Sequence, residues 1–298
     1  QALAAENAEK RMAHFTTAIL AFGKQLELFE KGALSDQALY LRGESFYNQD
    51  DKTKAIADYR AVVIGFPKSS YRQDAIYVLG ATLEEKEKYK EAGVAYDLFL
   101  KEFPESGLRT EVRMRKAESM LQDNKFEEAA QIFAEVAAVE GFDHATRSRL
   151  RQAFCLVNLE QLDDASTIYQ SVFEATEEAD HKKTAVTQLH VLCRKYIEKK
   201  LYNKSLALAQ QMVEKADAED LKVRFRMAAA DSLDGQAKYG ESRPRYLAIA
   251  KDHEKHVLAP DALYFAAFAA FQLKEYDNVL SDASVFSEKY ADHEFAKD

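Results

Sequence analysis

The sequence predicts an all-α protein built from stacked helical hairpins, and three observations carry this prediction. Its 298 residues are 47% hydrophobic and 31% charged, a composition that excludes a disordered chain. Ten glycines and four prolines provide too little turn chemistry for a protein of many strands. Most important, segment 38–69 aligns with segment 75–106 after a shift of 37 residues, which is the mark of an internal repeat.

The repeat continues along the chain as a small residue in the predicted first helix of each unit. This marker residue recurs at steps of 36 to 40, as Gly43, Gly80, Ala117, Ala153, Cys193, Ala230 and Ala267. An aromatic or apolar side chain stands sixteen residues after each marker, from Tyr59 to Ala283. Phe15, Ala18 and Phe22 fall in the same slots one period earlier, which predicts the second half of an incomplete unit.

Each unit is predicted to be a pair of amphipathic helices. Two helices that cross closely need small side chains at the crossing, and aromatic side chains then fill the space between neighbouring hairpins. A single hairpin cannot bury its apolar face, so the units must stack into one solenoid over residues 1–298. The predicted units are 1–34, 35–71, 72–108, 109–144, 145–181, 182–221, 222–258 and 259–298, which makes seven full repeats and an incomplete first one.

The repeat resembles the tetratricopeptide repeat family. The order small, aromatic, Ala, aromatic and Pro is present as Gly80, Tyr89, Ala92, Tyr96 and Pro104. This resemblance implies a right-handed superhelix that binds a peptide or partner protein in a concave groove, without chemistry of its own. The endings FPKS at 66–69 and FPES at 103–106 resemble a subgroup of bacterial envelope proteins, among them outer-membrane assembly lipoproteins and the Tol-Pal-associated periplasmic protein. A periplasmic or envelope location is therefore favoured, with a cytoplasmic one as the alternative.

The resemblance also implies which side chains line the groove, because groove slots keep fixed offsets from the marker residue. In this sequence the candidates are Tyr40, Glu44, Tyr77, Arg115, Arg147, Leu150, Arg151, Phe154, His190, Arg194, Arg224, Tyr264, Phe268 and Phe271. The Lys and Asn set with which some family members hold a terminal carboxylate is absent.

Two features of these candidates indicate a ligand. Arginines recur on the predicted first helices of 109–232 and would form a ladder for an acidic partner, since guanidinium groups bind carboxylates in a fork-like geometry. Pairing with Glu or Asp four residues away on the same helix is the alternative.

Tyr264, Phe268 and Phe271 form one helical stripe, which is either core or an apolar docking site. Because another first helix would follow residue 298, we expect the chain to continue or Phe265, Phe268 and Phe271 to be partly exposed.

Local irregularities give two further expectations. Pro244 would interrupt the second helix of its unit, so we expect that helix to begin late, capped by Ser242, after a long connection at 235–241. The charged run 84–90 is interpreted as a solvated turn between helices.

Composition and motifs argue against other functions. The net charge of −9 disfavours nucleic acid and anionic membranes, no apolar stretch is long enough to cross a bilayer, and the common hydrolase, phosphate-loop and metalloprotease motifs are absent. Cys155 and Cys193 are interpreted as packing residues, and the pair His253 and His256 lacks a third metal ligand. We therefore predict a scaffold that is not an enzyme and has no cofactor. An RNA-binding helical repeat and the non-catalytic arm of a larger enzyme are the alternatives.

Overall fold

The computed structural model describes residues 2–297, with side chains from residue 10 to residue 296. These residues form fifteen α-helices and a short 3₁₀ helix, and they contain no strand. The helices are α1 (Ala2–Leu28), α2 (Ser35–Asn48), α3 (Lys52–Gly65), α4 (Arg72–Glu85), α5 (Tyr89–Glu102), α6 (Arg109–Gln122), α7 (Phe126–Ala137), α8 (Ala145–Asn158), α9 (Leu162–Ala175), α10 (Ala179–Glu198), α11 (Tyr202–Lys215), α12 (Glu219–Asp234), α13 (Tyr239–Asp252), α14 (Ala259–Gln272), α15 (Tyr276–Lys289) and the 3₁₀ helix Glu294–Lys297. The predicted all-α helical repeat fold is confirmed.

The chain divides into two compact units, unit 1 (Gln1–Cys155) and unit 2 (Leu156–Asp298). Within unit 1 each helix from α1 to α6 packs against the next, and α4 also contacts α6. Within unit 2 the same sequential packing runs from α9 to α15, and α10 also contacts α12. In each unit, contacts between alternate helices bring first helices of successive hairpins side by side. We call the surface they form the first-helix face.

Seven turns between the two helices of a hairpin share one backbone geometry. The residue seven positions after each marker has a positive φ of 57–63°, and none of these residues is glycine. They are Asp50, Glu87, Asn124, Glu160, Lys200, Ala237 and Lys274. The next amide donates a hydrogen bond of 2.8–2.9 Å to the carbonyl five residues earlier, which is the Schellman arrangement that ends a helix. This turn sets where every second helix begins.

Two of the marker residues, Gly43 and Gly80, lie directly against a tyrosine ring of the second helix. A Cβ added to Gly80 would be 2.5 Å from Cε1 of Tyr96, and one added to Gly43 would be 2.7 Å from Cε1 of Tyr59. Both tyrosine side chains are fully buried. Their hydroxyl groups reach carboxylates of the first helix, with Tyr59 donating to Glu44 at 2.6 Å. The repeat pattern therefore encodes a specific contact between helices as well as apolar character.

The prediction for Pro244 was wrong. Helix α13 begins at Tyr239, as the common turn requires, and Pro244 lies inside it. The turn retains its positive φ at Ala237 and its bond from the Lys238 amide to the Leu233 carbonyl. Burial of Ser242 and Tyr246 holds the first part of α13 in place.

Candidate functional site

All the predicted groove residues belong to first helices, divided between the two units, and Leu150 among them is buried. Unit 1 contributes residues of α2, α4, α6 and α8, namely Tyr40, Glu44, Tyr77, Arg115, Arg147, Leu150, Arg151 and Phe154. Unit 2 contributes residues of α10, α12 and α14, namely His190, Arg194, Arg224, Tyr264, Phe268 and Phe271. The surroundings of these two groups differ.

In the first hairpin of unit 1 the candidate residues are held by contacts within the protein. The ring of Tyr40 stacks on that of Tyr71, with centroids 5.1 Å apart. Burial, with Glu44 nearby, raises the pKa of Tyr40 to about 12. Glu44 itself accepts the hydroxyl hydrogen bond of Tyr59. Tyr40 and Glu44 therefore stabilise the hairpin as well as reaching the face.

A denser network lies between α4 and α6. The hydroxyl of Tyr77 donates to Glu111 at 2.6 Å, and Arg115 bonds both Glu111 and Glu84 at 3.2 Å. Although burial opposes ionisation, the bonds from Tyr77 and Arg115 hold the pKa of Glu111 below its ordinary value. Glu84 also accepts bonds from Tyr96 and Ser119, so the interpretation of the whole run 84–90 as solvated was wrong at this residue.

The next two arginines share one carboxylate. Arg147 and Arg151 stand four residues apart on α8, and both contact Oε1 of Glu118 on α6, at 3.1 and 3.0 Å. Both arginines belong to the ladder expected to bind an acidic partner, and a glutamate of the preceding first helix already binds them. On this part of unit 1 a cavity of about 230 Å³ is lined by the same groups, including Glu84, Glu111 and Glu118.

Unit 2 has a cavity of about 240 Å³ in the same part of its repeat, between α10, α12 and α14. Its charged lining is Arg194 of α10, Arg224 and Asp231 of α12, and Asp261 of α14. The rest of its wall is the His190 ring and apolar side chains, among them Met227, Leu258 and Phe265. We call this the α10–α12–α14 cavity.

The charges of this cavity are only partly paired within the protein. Arg224 holds both oxygens of Asp220, and Asp220 also contacts His256 at 3.1 Å. Asp261 lies 3.4 Å from His293. Arg194 is exposed and forms no ion pair with a described residue. This guanidinium is therefore available to a ligand.

Two titratable side chains of the cavity, Asp231 and His190, have pKa values shifted in favour of their neutral forms. Burial raises the pKa of Asp231 to about 6, against the hydrogen bond that its Oδ1 accepts from Tyr246 at 2.8 Å and the charge of Arg194. Burial, together with Arg224 and Arg194, lowers the pKa of His190 to about 4. Ionised Asp231 is thus costly here unless a cation compensates it.

Sequence reasoning missed Asp231 and Asp261, although the repeat contained the signal. Asp231 stands one residue after its marker, as Glu44 and Arg194 do, and Asp261 stands six before its marker, as Arg147 does. The same offsets include Glu118 and Glu111. Most residues chosen from these slots were arginine or aromatic, and Asp231 and Asp261 were left out.

The aromatic stripe of α14 is divided. The Tyr264 ring stacks on Phe295 of the 3₁₀ helix, with centroids 4.4 Å apart, and it also meets Phe265 and Phe286. Phe265 is half-buried, whereas Phe268 and Phe271 remain 40% and 55% exposed. All three phenylalanines are thus partly exposed, which is one of the two outcomes expected from the sequence. Tyr264 contributes to the packing of this end of unit 2, and Phe268 and Phe271 border a further cavity of about 230 Å³.

Other chemistry finds little support among the described side chains. Cys155 and Cys193 are free and buried, and burial raises the pKa of each thiol to about 12, so neither is activated as a nucleophile. No three His, Cys, Asp or Glu side chains between residues 10 and 296 come together as a metal site requires. No helix in the described part of the chain is long and apolar enough to span a bilayer.

Comparisons with known proteins support the tetratricopeptide repeat family. A tetratricopeptide repeat model matches residues 37–69, which include most of α2 and all of α3. A tetratricopeptide repeat protein from Parabacteroides merdae has a similar structure, with a TM-score of 0.50 at 12% identity over 87% of this chain and 94% of that one. No curated protein sequence matches the chain.

Two further solved structures have the same helical repeat fold. RapI in its apo form gives a TM-score of 0.51 at 15% identity, covering 89% of this chain and 86% of RapI. A chain in the structure of Naa15/Naa10 bound to HypK-THB gives 0.61 at 15% identity, covering 96% of this chain but only 44% of that one. At these identities the similarity establishes the fold alone.

Proposed function

We propose that this chain, with its tetratricopeptide-like repeat fold, is a non-catalytic scaffold that binds a peptide or partner protein on its first-helix faces. The observation that carries the proposal is the α10–α12–α14 cavity, where two aspartates accompany an exposed arginine that forms no ion pair with a described residue. Polar groups that converge on a concave site are typical of ligand recognition.

Selection of peptides by the full chain tests this proposal. A phage-displayed library of random twelve-residue peptides is panned against the immobilised protein, and enriched peptides are synthesised and titrated by calorimetry. Arg194→Ala, Phe154→Ala and Phe268→Ala change exposed residues of first helices. Arg245→Ala, Val94→Ala and Leu280→Ala are matched controls on the second helices α13, α5 and α15, where the side chains are also exposed.

We expect at least one first-helix substitution to weaken binding about tenfold, or 1.4 kcal/mol, and the second-helix controls to leave it within about twofold. No enriched peptide, or a loss confined to the second-helix variants, would contradict the proposal. Circular dichroism of each variant checks that the helices are retained.

The acidic partner predicted from the arginines is retained for unit 2 alone. Arg115, Arg147 and Arg151 of unit 1 already bind glutamates of their own unit, and displacing those contacts would cost an acidic ligand part of its affinity. Arg194 faces no such competitor.

We further propose that this chain belongs to a bacterial envelope assembly. It is supported by the unit endings at 66–69 and 103–106, which resemble those of envelope proteins. Fractionation of the source cells, with an antibody against the purified chain, tests it. Recovery of the protein with the periplasm or membranes is expected, and recovery with ribosomes and cytoplasmic enzymes would overturn this part alone.

A further inference from the structure

Two arginines and two aspartates line the α10–α12–α14 cavity. Arg194 and Arg224 stand on the neighbouring helices α10 and α12, while Asp231 and Asp261 stand on α12 and α14. Arg224 is largely satisfied by Asp220, and Arg194 forms no ion pair with a described residue. One small site thus offers both a cation and carboxylates to a ligand.

We propose that this cavity binds a peptide segment in which an acidic and a basic residue are adjacent, with the carboxylate on Arg194 and the basic group between Asp231 and Asp261. The inference rests on the proposed function and names the chemistry of its ligand. The guanidinium of Arg194 can bind a carboxylate through two parallel hydrogen bonds. Asp231 and Asp261 supply acceptor oxygens for an ammonium or guanidinium group.

The size and the walls of the cavity fit one long basic side chain. Its volume of about 240 Å³ accommodates a single lysine or arginine side chain but not a folded element. Met227, Leu258 and Phe265 provide apolar surface for the methylene stem, while the charged end reaches the carboxylates. Burial makes the ionised form of Asp231 costly, and this carboxylate gains a counter-ion when the charged end enters.

Because charges of both signs line the cavity, the site is also selective between peptides. A peptide with two acidic residues would bring a carboxylate against Asp231 and Asp261, and one with two basic residues would bring a cation against Arg194. Only the dipolar pair satisfies both the cation and the carboxylates. In unit 1 the corresponding arginines and glutamates already pair with one another, so a charged peptide would have to displace these ion pairs to bind there.

Methionine methyl groups provide a direct test on the full chain. Met227 lines the proposed site, and Met114 lines the cavity of unit 1, so ¹³C-methyl labelling of the five methionines reports on both cavities in one spectrum. The probes are three acetylated and amidated octapeptides, Gly-Ser-Ala-X-X-Ala-Ser-Gly, in which X-X is Glu-Lys, Glu-Glu or Lys-Lys. Met227→Leu assigns the reporting signal.

The Glu-Lys peptide is expected to shift the Met227 signal and leave Met114 unchanged, with an affinity at least fivefold above that of either other peptide. Arg194→Glu is expected to weaken this binding at least tenfold, and Arg245→Glu on α13 to leave it unchanged. Asp261→Asn should remove the preference for Glu-Lys over Glu-Glu.

Three results would overturn the inference. They are no shift of Met227 at about 5 mM Glu-Lys peptide, equal affinities for the three peptides, or equal effects of Arg194→Glu and Arg245→Glu. A peptide selected by phage display that binds a first-helix face without shifting Met227 would overturn this inference and leave the proposed function intact. Failure to select any peptide would count against the proposed function itself.

Discussion

On the first-helix face of unit 1 the arginines bind glutamates of the same or the preceding first helix, whereas on that of unit 2 Arg194 forms no ion pair with a described residue. Glu118 contacts Arg147 and Arg151, and Glu111 and Glu84 contact Arg115. In unit 2, Asp231 lies in the slot of Glu118 but accepts its hydrogen bond from a tyrosine. Equivalent repeat positions can therefore either stabilise the stack or leave charge for a ligand.

Opposite responses to pH offer the sharpest test of this contrast. The folded-state pKa of Asp231 is about 6, above its value of 3.8 in a free chain, so its contribution to stability is present below about pH 4 and is lost as the pH rises through 6. Asp231→Asn removes that loss. Relative to the wild type, the variant should gain up to about 3 kcal/mol of unfolding free energy between about pH 4 and pH 8.

The groups facing Asp231 are Tyr246, Arg194, Asp234 and Asp261, and Asn retains an acceptor for the Tyr246 hydroxyl. Glu111→Gln in unit 1 is the matched variant. Because the pKa of Glu111 is lowered in the folded state, this carboxylate stabilises the protein above its unfolded pKa, and the stabilisation disappears as the pH falls through the folded value. In urea unfolding, the stability of Asp231→Asn relative to the wild type should rise with pH between about pH 4 and pH 6, and that of Glu111→Gln should fall with rising pH below about pH 5. Slopes of the same sign would contradict the difference between the two units.

The second test concerns the marker residues, which are glycines in α2 and α4 of unit 1 and Ala230 and Ala267 in α12 and α14 of unit 2. Gly80→Ala puts a methyl group 2.5 Å from the buried ring of Tyr96, and we expect it to lower the free energy of unfolding by about 2 kcal/mol despite the better helix propensity of alanine. Ala230→Gly should cost only about 1 kcal/mol. Denaturant midpoints compare the two. A stabilising Gly80→Ala would mean that the Tyr96 ring can move aside.

The third test removes the ion pairs of Arg147 and Arg151 in unit 1, so that these arginines resemble Arg194 of unit 2. Glu118→Gln removes the carboxylate between Arg147 and Arg151, both of which are more than one-third exposed. The expected cost is about 1 kcal/mol of unfolding free energy. Hexaglutamate should bind the variant more tightly than the wild type at low salt. Unchanged binding would mean that Glu118 does not control access to these arginines.

The smallest expected effect tests what the two units share. Left-handed backbone costs a residue with a side chain about 1 kcal/mol, so Glu87→Gly in unit 1 and Ala237→Gly in unit 2 should each stabilise the protein by up to this amount. Asn124→Gly should change stability little, because asparagine tolerates this conformation. Thermal unfolding measures the three variants. If glycine destabilised the protein in one unit alone, the cost of the left-handed turn residue would differ between the two units.

The helical repeat was predictable because its signal is local and is repeated seven times. Small markers and aromatic residues at fixed offsets fix the period, and the period fixes the pairs of helices. The start of α13 was mispredicted because the rule for proline considers one helix in isolation. The turn at Ala237 and the buried side chains of Ser242 and Tyr246 together outweigh the missing hydrogen bond of Pro244.

The amino-acid sequence by itself determined the fold class, the repeat register and the slots that lie on the first helices, since all three follow from spacing along one chain. Only the tertiary structure decided which charges are already paired. Arg151 and Arg194 have the same residue type and neighbouring slots in their repeats, and nothing in the spacing separates them. Glu118 lies 3.0 Å from Arg151, whereas no described carboxylate forms an ion pair with Arg194. An ion pair depends on distances between helices, and these are set when the repeats stack.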